Sequence, residues 1–230
     1  MYCSPGACYG DARTLLPPAH RPILCYVTDR RAIEPAAPSG SALLETIRNA
    51  ATAGVDWIQI REKDLGARRL ASLVRQAVEG TRHTRARILV NDRLDIAFAA
   101  GAAGIHLGEM SLPVETLLEW RRSAARALFE IGVSCHSVEA ARAAERGGAD
   151  YIFFGPVFGT PSKAAFGPPQ GLERLREACS AVQIPVLAIG GVNLENVASC
   201  MEAGAAGIAA IRLFQELPDL SGIGARLRGM

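Results

Sequence analysis

The sequence predicts an α/β protein built as a single (β/α)8 TIM barrel. Three observations point there. Short apolar runs of parallel-strand type alternate eight times with helix-period segments along 230 residues. Seven of those runs end in a polar or glycine residue suited to holding phosphate. No G-x-G-x-x-G follows the first run, which argues against an open dinucleotide-binding sheet. In a closed parallel barrel all strand C-termini open on one face, so polar strand ends converge on one site. The pattern is that of an enzyme.

The first run, Ile23–Val27, ends at Thr28 and Asp29. A helix pattern covers about Ser41 to Ala53, followed by the run Trp57–Ile60. Leu70, Leu73, Val74 and Ala77 recur at helical spacing before the third run, Ile88–Val90. A helix over about Leu94–Ala100 leads to Gly104–Ile105. Another spans about Pro113–Ala124, with the proline suited to its first turn. Phe129–Val133 is the fifth strand and Tyr151–Phe154 the sixth, with a helix over Val138–Gly147 between them. Helix patterns at about Leu172–Cys179 and Leu194–Ala203 flank the seventh run, Pro185–Ile189. The eighth run is Gly207–Ile211, and Leu220–Arg228 is a helical tail. Gly54, Gly101, Gly148 and Gly204 each follow a helix pattern and precede a strand, the position where a helix ends in left-handed glycine.

A hydrophobic share of 49% and a charged share of 21% suit one globular domain with a sizeable core. The net charge of +2 is too near balance to indicate a nucleic-acid partner. No apolar run approaches the ~20 residues that span a membrane. The first twenty residues lack a basic start followed by a long apolar stretch, so they read as a flexible leader, and residues 21–230 as the catalytic barrel. The six cysteines form no C-x-x-C and suit neither a zinc site nor a disulfide framework. Scattered reduced thiols fit a cytoplasmic enzyme.

The chemistry-bearing residues cluster at the strand ends. Gln59-Ile60-Arg61-Glu62-Lys63 ends the second strand, where alternation sends Gln59 and Arg61 to one side and Lys63 follows just past the end. Two cations there suit a phosphate or diphosphate; a surface turn neutralised by Glu62 and Asp64 is the other reading. Asn91-Asp92-Arg93 ends the third strand, and its carboxylate suits Mg²⁺ shared with substrate phosphates, or a helix cap, or both. After the fourth strand, His106 reads as a packed barrel histidine. Glu109 there is a metal ligand or a solvated loop residue, and Ser111 a helix cap.

Ser134-Cys135-His136-Ser137 ends the fifth strand, with His136 placed for proton transfer and Ser134 for phosphate, or else as a capping segment for the next helix. Cys135 lies between them and suits a small apolar-like residue at a strand end. A long loop follows the sixth strand and carries Thr160, Ser162 and Lys163. Gly190-Gly191 after the seventh strand, with the helix start after the eighth, is where many barrels hold phosphate.

Together the phrases Gln59–Lys63, Asn91–Arg93, Gly104–Gly108, Gly132–His136, Gly155–Phe158 with Thr160–Lys163, and Ile189–Val192 resemble the thiamine phosphate synthase / TenI family, in family order from about Ile23 to Phe214. The resemblance implies a cytoplasmic enzyme of thiamine biosynthesis. It joins hydroxymethylpyrimidine diphosphate to a thiazole phosphate with release of diphosphate, and needs Mg²⁺. By position, Arg61, Lys63, Asn91 and Lys163 would hold diphosphate, and Asp92 the metal. Gln59 and Ser134 would meet the pyrimidine. Thr160, Ser162, Gly190, Gly191 and the segment at Ile211 and Arg212 would meet the thiazole phosphate.

Three positions depart from the synthase pattern. Ser111 stands where synthases carry a second metal-binding Asp, with Glu109 two residues away as a substitute ligand. Ile208-Ala209-Ala210-Ile211-Arg212 replaces a serine-bearing strand end, so Arg212 either binds phosphate or fills the pocket. Cys135 is not a usual occupant. The TenI branch, a thiazole tautomerase in which His136 would be the acid–base group, is the alternative, as is a noncatalytic regulator that binds thiamine phosphate. Neither reading involves nucleic acid or membrane, and both leave self-association open.

Overall fold

The computed structural model describes residues 21–33, 40–108, 110–159, 168–216, 220 and 222–228. The leader proposed for residues 1–20 lies outside them. Eight parallel strands close into one barrel in sequence order: β1 (Ile23–Val27), β2 (Trp57–Ile60), β3 (Arg87–Asn91), β4 (Gly104–Leu107), β5 (Glu130–Cys135), β6 (Tyr151–Phe154), β7 (Val186–Ile189) and β8 (Gly207–Ala210). Closure comes from β8 pairing with β1, Ile23 lying beside Gly207 and Tyr26 beside Ala210.

The strand period of two divides the apolar residues into two cores. Outward residues such as Leu24, Tyr26, Ile58, Ile60 and Val90 pack under the helices. Inward residues Cys25, Trp57, Leu89, Tyr151, Phe153 and Leu187 fill the barrel itself. Large inward rings need small partners. Gly132 lies beside Tyr151 on the neighbouring strand, and a Cβ at Gly132 would fall 1.9 Å from the Tyr151 ring. Trp57 fills the space beyond, with its ring centroid 4.5 Å from that of Tyr151.

The main outer helices are α2 (Ser41–Thr52), α3 (Ala67–Thr81), α4 (Leu94–Ala99), α5 (Val114–Ser123), α6 (Val138–Gly147), α7 (Gly171–Ala181) and α8 (Val197–Glu202), with α10 (Ile223–Arg228) at the tail. All four expected helix-ending glycines have positive φ, from 73° at Gly101 to 96° at Gly204. Two one-turn helices escape the periodicity argument because they are too short to show a period: α1 (Arg30–Ile33) and α9 (Arg212–Gln215). Pro113 sits at the N-cap of α5 and not in its first turn. The helix expected over Leu194–Ala203 starts three residues late, at Val197. The Asn193 side chain accepts from the backbone N–H groups of Glu195 and Asn196 and holds that stretch as a turn.

Gly132→Ala drives a methyl into the Tyr151 ring. Overpacking of this kind costs roughly 1–3 kcal/mol. We expect the variant to melt several degrees below the parent in thermal unfolding followed by circular dichroism; an unchanged midpoint would mean that the barrel interior has slack there.

Candidate active site

A cavity of about 680 Å³ opens at the C-terminal ends of the strands. It gathers nine of the sequence-predicted residues: Gln59, Arg61, Asn91, Ser134, His136, Gly190, Gly191, Ile211 and Arg212. Lys63 is exposed beyond the end of β2 and does not line it. Asp92 stands beside it, bonded to the lining residue Asn91. Glu109, Thr160, Ser162 and Lys163 lie outside the described residues. Asp29, Asn193, Glu195 and Glu216 also line the cavity. Of these only Asp29 carries a sequence signal, as the residue just past the end of β1.

One hydrogen-bonded chain runs along the rim from β2 to the loop after β4. The Gln59 amide donates to Asn91 Oδ1 at 3.0 Å, and Asn91 Nδ2 donates to Asp92 Oδ2 at 2.6 Å. Asp92 Oδ1 accepts from the Gly108 backbone N–H at 3.1 Å and from the Ser111 hydroxyl. Two expectations are corrected here. Asp92 does not cap α4, whose N-cap is Arg93 with no side-chain bond, because its carboxylate is taken up by Gly108 and Ser111. Ser111 does not cap α5, because it serves Asp92 and accepts from Gly108 N–H at 2.7 Å. Asp92 itself has φ 58°, a left-handed conformation that Asp tolerates better than most residues. Its exposed carboxylate and the Ser111 hydroxyl are hard oxygen donors of the kind Mg²⁺ takes alongside substrate phosphate and water. Among the described residues no group of three or more His, Cys, Asp or Glu is placed to hold a metal.

The two histidines differ in accessibility. His106 is buried at 1% exposure, stacked on Phe153 with centroids 4.1 Å apart. Its Nδ1 meets the Tyr151 hydroxyl at 3.1 Å and its Nε2 meets Ser134 Oγ at 2.9 Å. Burial pushes its pKa down to about 3, with the Asp92 charge opposing and the Arg61 charge assisting. It is therefore neutral, and its role is to orient Ser134. His136 is half-buried against the cavity, and its Nδ1 donates to the Gly155 carbonyl. That bond leaves Nε2 as the basic nitrogen of the neutral ring. Ser137 does cap α6, accepting from Ala140 N–H at 3.0 Å. Cys135 is 1% exposed and burial pushes its thiol up to about 12, so it is no thiolate.

The opposite wall is backbone-rich. Gly190 and Gly191 have φ 93° and 67°, and a Cβ on either would run into the loop after β6, at Pro156 or at Phe158 and Gly159. Glycine is required there for packing whether or not an anion binds. Arg212 opens α9 beside them, half-exposed and 3.6 Å from Glu216, so it is not buried as a plug.

Known proteins share this sequence pattern and fold. Residues 24–214 match the family model of thiamine monophosphate synthase. A Geobacter sulfurreducens protein, named provisionally as a thiamine-phosphate synthase, is 44% identical over 196 residues, covering 85% of this chain and 88% of its own. The thiamine-phosphate synthase of Roseiflexus castenholzii is 40% identical over 202 residues, covering 88% and 85%. Among solved structures, thiamine phosphate pyrophosphorylase from Pyrococcus furiosus superposes with a TM-score of 0.77 at 33% identity, covering 92% of this chain and 96% of that one. A 3-hexulose-6-phosphate synthase at 16% identity and TM-score 0.65 shares the barrel fold alone.

Below a pH near 6.5 the unfolded chain binds a proton at His106 that the native ring refuses until about 3. Acid therefore weakens the fold through this residue across that window, by up to about 1.4 kcal/mol per pH unit. Burial pushes Glu130 up to about 7, which tilts part of the window the other way, but equally in any His106 variant. His106→Asn should thus lose less stability than the parent between pH 6 and pH 4 in urea unfolding. Equal slopes would mean that the native ring takes up the proton.

Proposed function

The chain belongs to the thiamine monophosphate synthase family, and on that premise we propose that it joins hydroxymethylpyrimidine diphosphate to a thiazole phosphate and releases diphosphate. The observation that carries this reading is the two-ended cavity. Gln59, Arg61, Asn91 and Ser134 converge from β2, β3 and β5, while Gly190, Gly191 and Arg212 stand on the opposite arc after β7 and β8. One end suits a ring with a diphosphate, the other a second phosphate.

Arg61 is the cation at the first end and Asn91 a neutral donor beside it, held by Gln59. Charge grows on the diphosphate as its bond to the pyrimidine methylene breaks, and fixed cations and donors lower the cost of that growth. Lys63 adds to this field from just past β2, and by the resemblance Lys163 would join it. Ser134, oriented by neutral His106, is offered to the pyrimidine. The thiazole phosphate would sit against Gly190, Gly191, Ile211 and Arg212, which would aim the thiazole nitrogen at the carbon that loses diphosphate, and the resemblance adds Thr160 and Ser162 to that set. Phe153 on the cavity wall keeps an apolar surface beside the reacting carbon. Asp92 would hold Mg²⁺, with Ser111 beside it and Glu109 as a further carboxylate. Mg²⁺ supplies additional positive charge against the leaving diphosphate when bound. The reading places the enzyme in the cytoplasm, acting on small phosphorylated substrates and on neither nucleic acid nor membrane. No helix among the described residues is long and apolar enough to cross a membrane.

One observation favours the tautomerase as a second reading: His136 lines the cavity with a basic nitrogen. The test is a thiamine phosphate assay on purified protein, with and without Mg²⁺. We expect Mg²⁺-dependent product, a drop of ~100-fold or more for Asp92→Ala, and a smaller effect for His136→Ala. No product from folded protein at any Mg²⁺ level, together with aromatisation of the thiazole carboxylate phosphate that fails in His136→Ala, transfers the assignment to the tautomerase.

A further inference from the structure

The phrase that ends β2 carries two carboxylates beside its two cations, Glu62 and Asp64 next to Arg61 and Lys63. Left to themselves, neighbouring opposite charges pair, and a paired Arg61 binds an anion poorly. The structure resolves this through Arg30, a residue of α1 that no strand-end motif contains. Arg30 Nη1 donates to Glu62 Oε2 at 3.0 Å and to Asp64 Oδ1 at 2.6 Å, and Nη2 donates to Asp64 Oδ2 at 2.7 Å. Its backbone N–H donates to Glu62 Oε1 at 3.1 Å, and the buried Thr28 hydroxyl donates to the same oxygen at 2.7 Å. Arg30 is 7% exposed and Glu62 4%, so the pair is dry. The Arg30 guanidinium holds Asp64 well below the usual carboxylate range. Arg31 adds a second, exposed contact to Asp64 at 2.6 Å.

The result is a division of charge. Both carboxylates face Arg30, while Arg61 lines the cavity and pairs with no carboxylate among the described residues; Lys63 likewise has no such partner. The same corner fixes the Arg61 backbone, whose N–H donates to Thr28 Oγ1 at 3.0 Å. We propose that Arg30 is a positioning residue that sequesters Glu62 and Asp64, so that Arg61 and Lys63 stay available to the anionic leaving group. The inference rests on the synthase reading for the identity of that group, a diphosphate. It concerns a residue outside the cavity, since Arg30 does not line it.

The test measures binding of inorganic pyrophosphate to the full chain by titration calorimetry, beside turnover. Arg30→Met leaves buried Glu62 with no cation and Asp64 with only the exposed Arg31, both next to Arg61, and its pyrophosphate Kd should rise about tenfold or more. Arg30→Lys should retain most of the affinity. The decisive variant is the triple Arg30→Met, Glu62→Gln, Asp64→Asn. It removes the competing charge while discarding the network, so it should recover most of the lost affinity. A merely structural Arg30 predicts the opposite, a triple variant as weak as the single one. Failure of the triple variant to recover, or an unchanged Kd in Arg30→Met, overturns the proposal. Should Arg30→Met not fold, a folded triple variant that binds pyrophosphate no more weakly than the parent supports it, and one that binds tenfold worse sinks it. Parent protein that fails to bind pyrophosphate overturns it as well. Parent protein that binds pyrophosphate but makes no thiamine phosphate refutes the synthase reading and leaves the role of Arg30 standing.

Discussion

Closure of β8 onto β1 is the constraint from which the rest follows. Eight parallel strands with no free edge must all end on one face, and the strand period of two then sorts every residue into barrel or helix layer. Gln59, Asn91 and Ser134 are inward residues one step above the packed interior, so the cavity floor is the top of the barrel core. Tyr151 shows how directly the two are joined. Its ring occupies the space that Gly132 leaves empty, and its hydroxyl holds His106, which in turn holds Ser134. A packing requirement in the core thus sets the orientation of a group at the site.

Electrostatics are organised by removal as much as by placement. A cavity meant for a diphosphate must keep at least one cation free for it, yet net charge is near zero across the chain and carboxylates are abundant. At β2 the conflict is settled by Arg30, which ties two carboxylates down outside the cavity. At β3 the carboxylate is kept at the rim, with Asn91, Gly108 and Ser111 all donating to Asp92. Three donors and a left-handed backbone fix where that charge stands. The hydroxyl of Ser111 adds a ligand atom there without adding charge.

Burial separates residues that look alike in sequence. His106 and His136 both follow a short apolar run in the sequence, but one is sealed between Phe153 and Tyr151 with both nitrogens engaged, and the other stands at the cavity with one nitrogen committed to Gly155. Cys135, flanked by two cavity residues, faces the other way under the helices, as its place in the outer core requires. Alternation along β5 decides this: Ser134 points inward and its neighbour cannot.

Periodicity alone determined the barrel, the eight strands and the glycines that end the helices, because burial of a parallel strand and the left-handed turn after a helix each leave a local residue pattern. The same strand-end logic brought Gln59, Arg61, Asn91, Ser134 and Gly191 to one face, since adjacent inward positions share a face whatever the details. Tertiary structure alone decided the pairings. Arg30 meets Glu62 across 32 residues, and Ser111 meets Asp92 across 19. Taken locally, the same segments suggest a neutralised turn and a helix cap, because a side chain's preferred local partner is visible in sequence and a distant, better-placed competitor is not. The one-turn helices α1 and α9 leave no sequence signal, because four residues show no period.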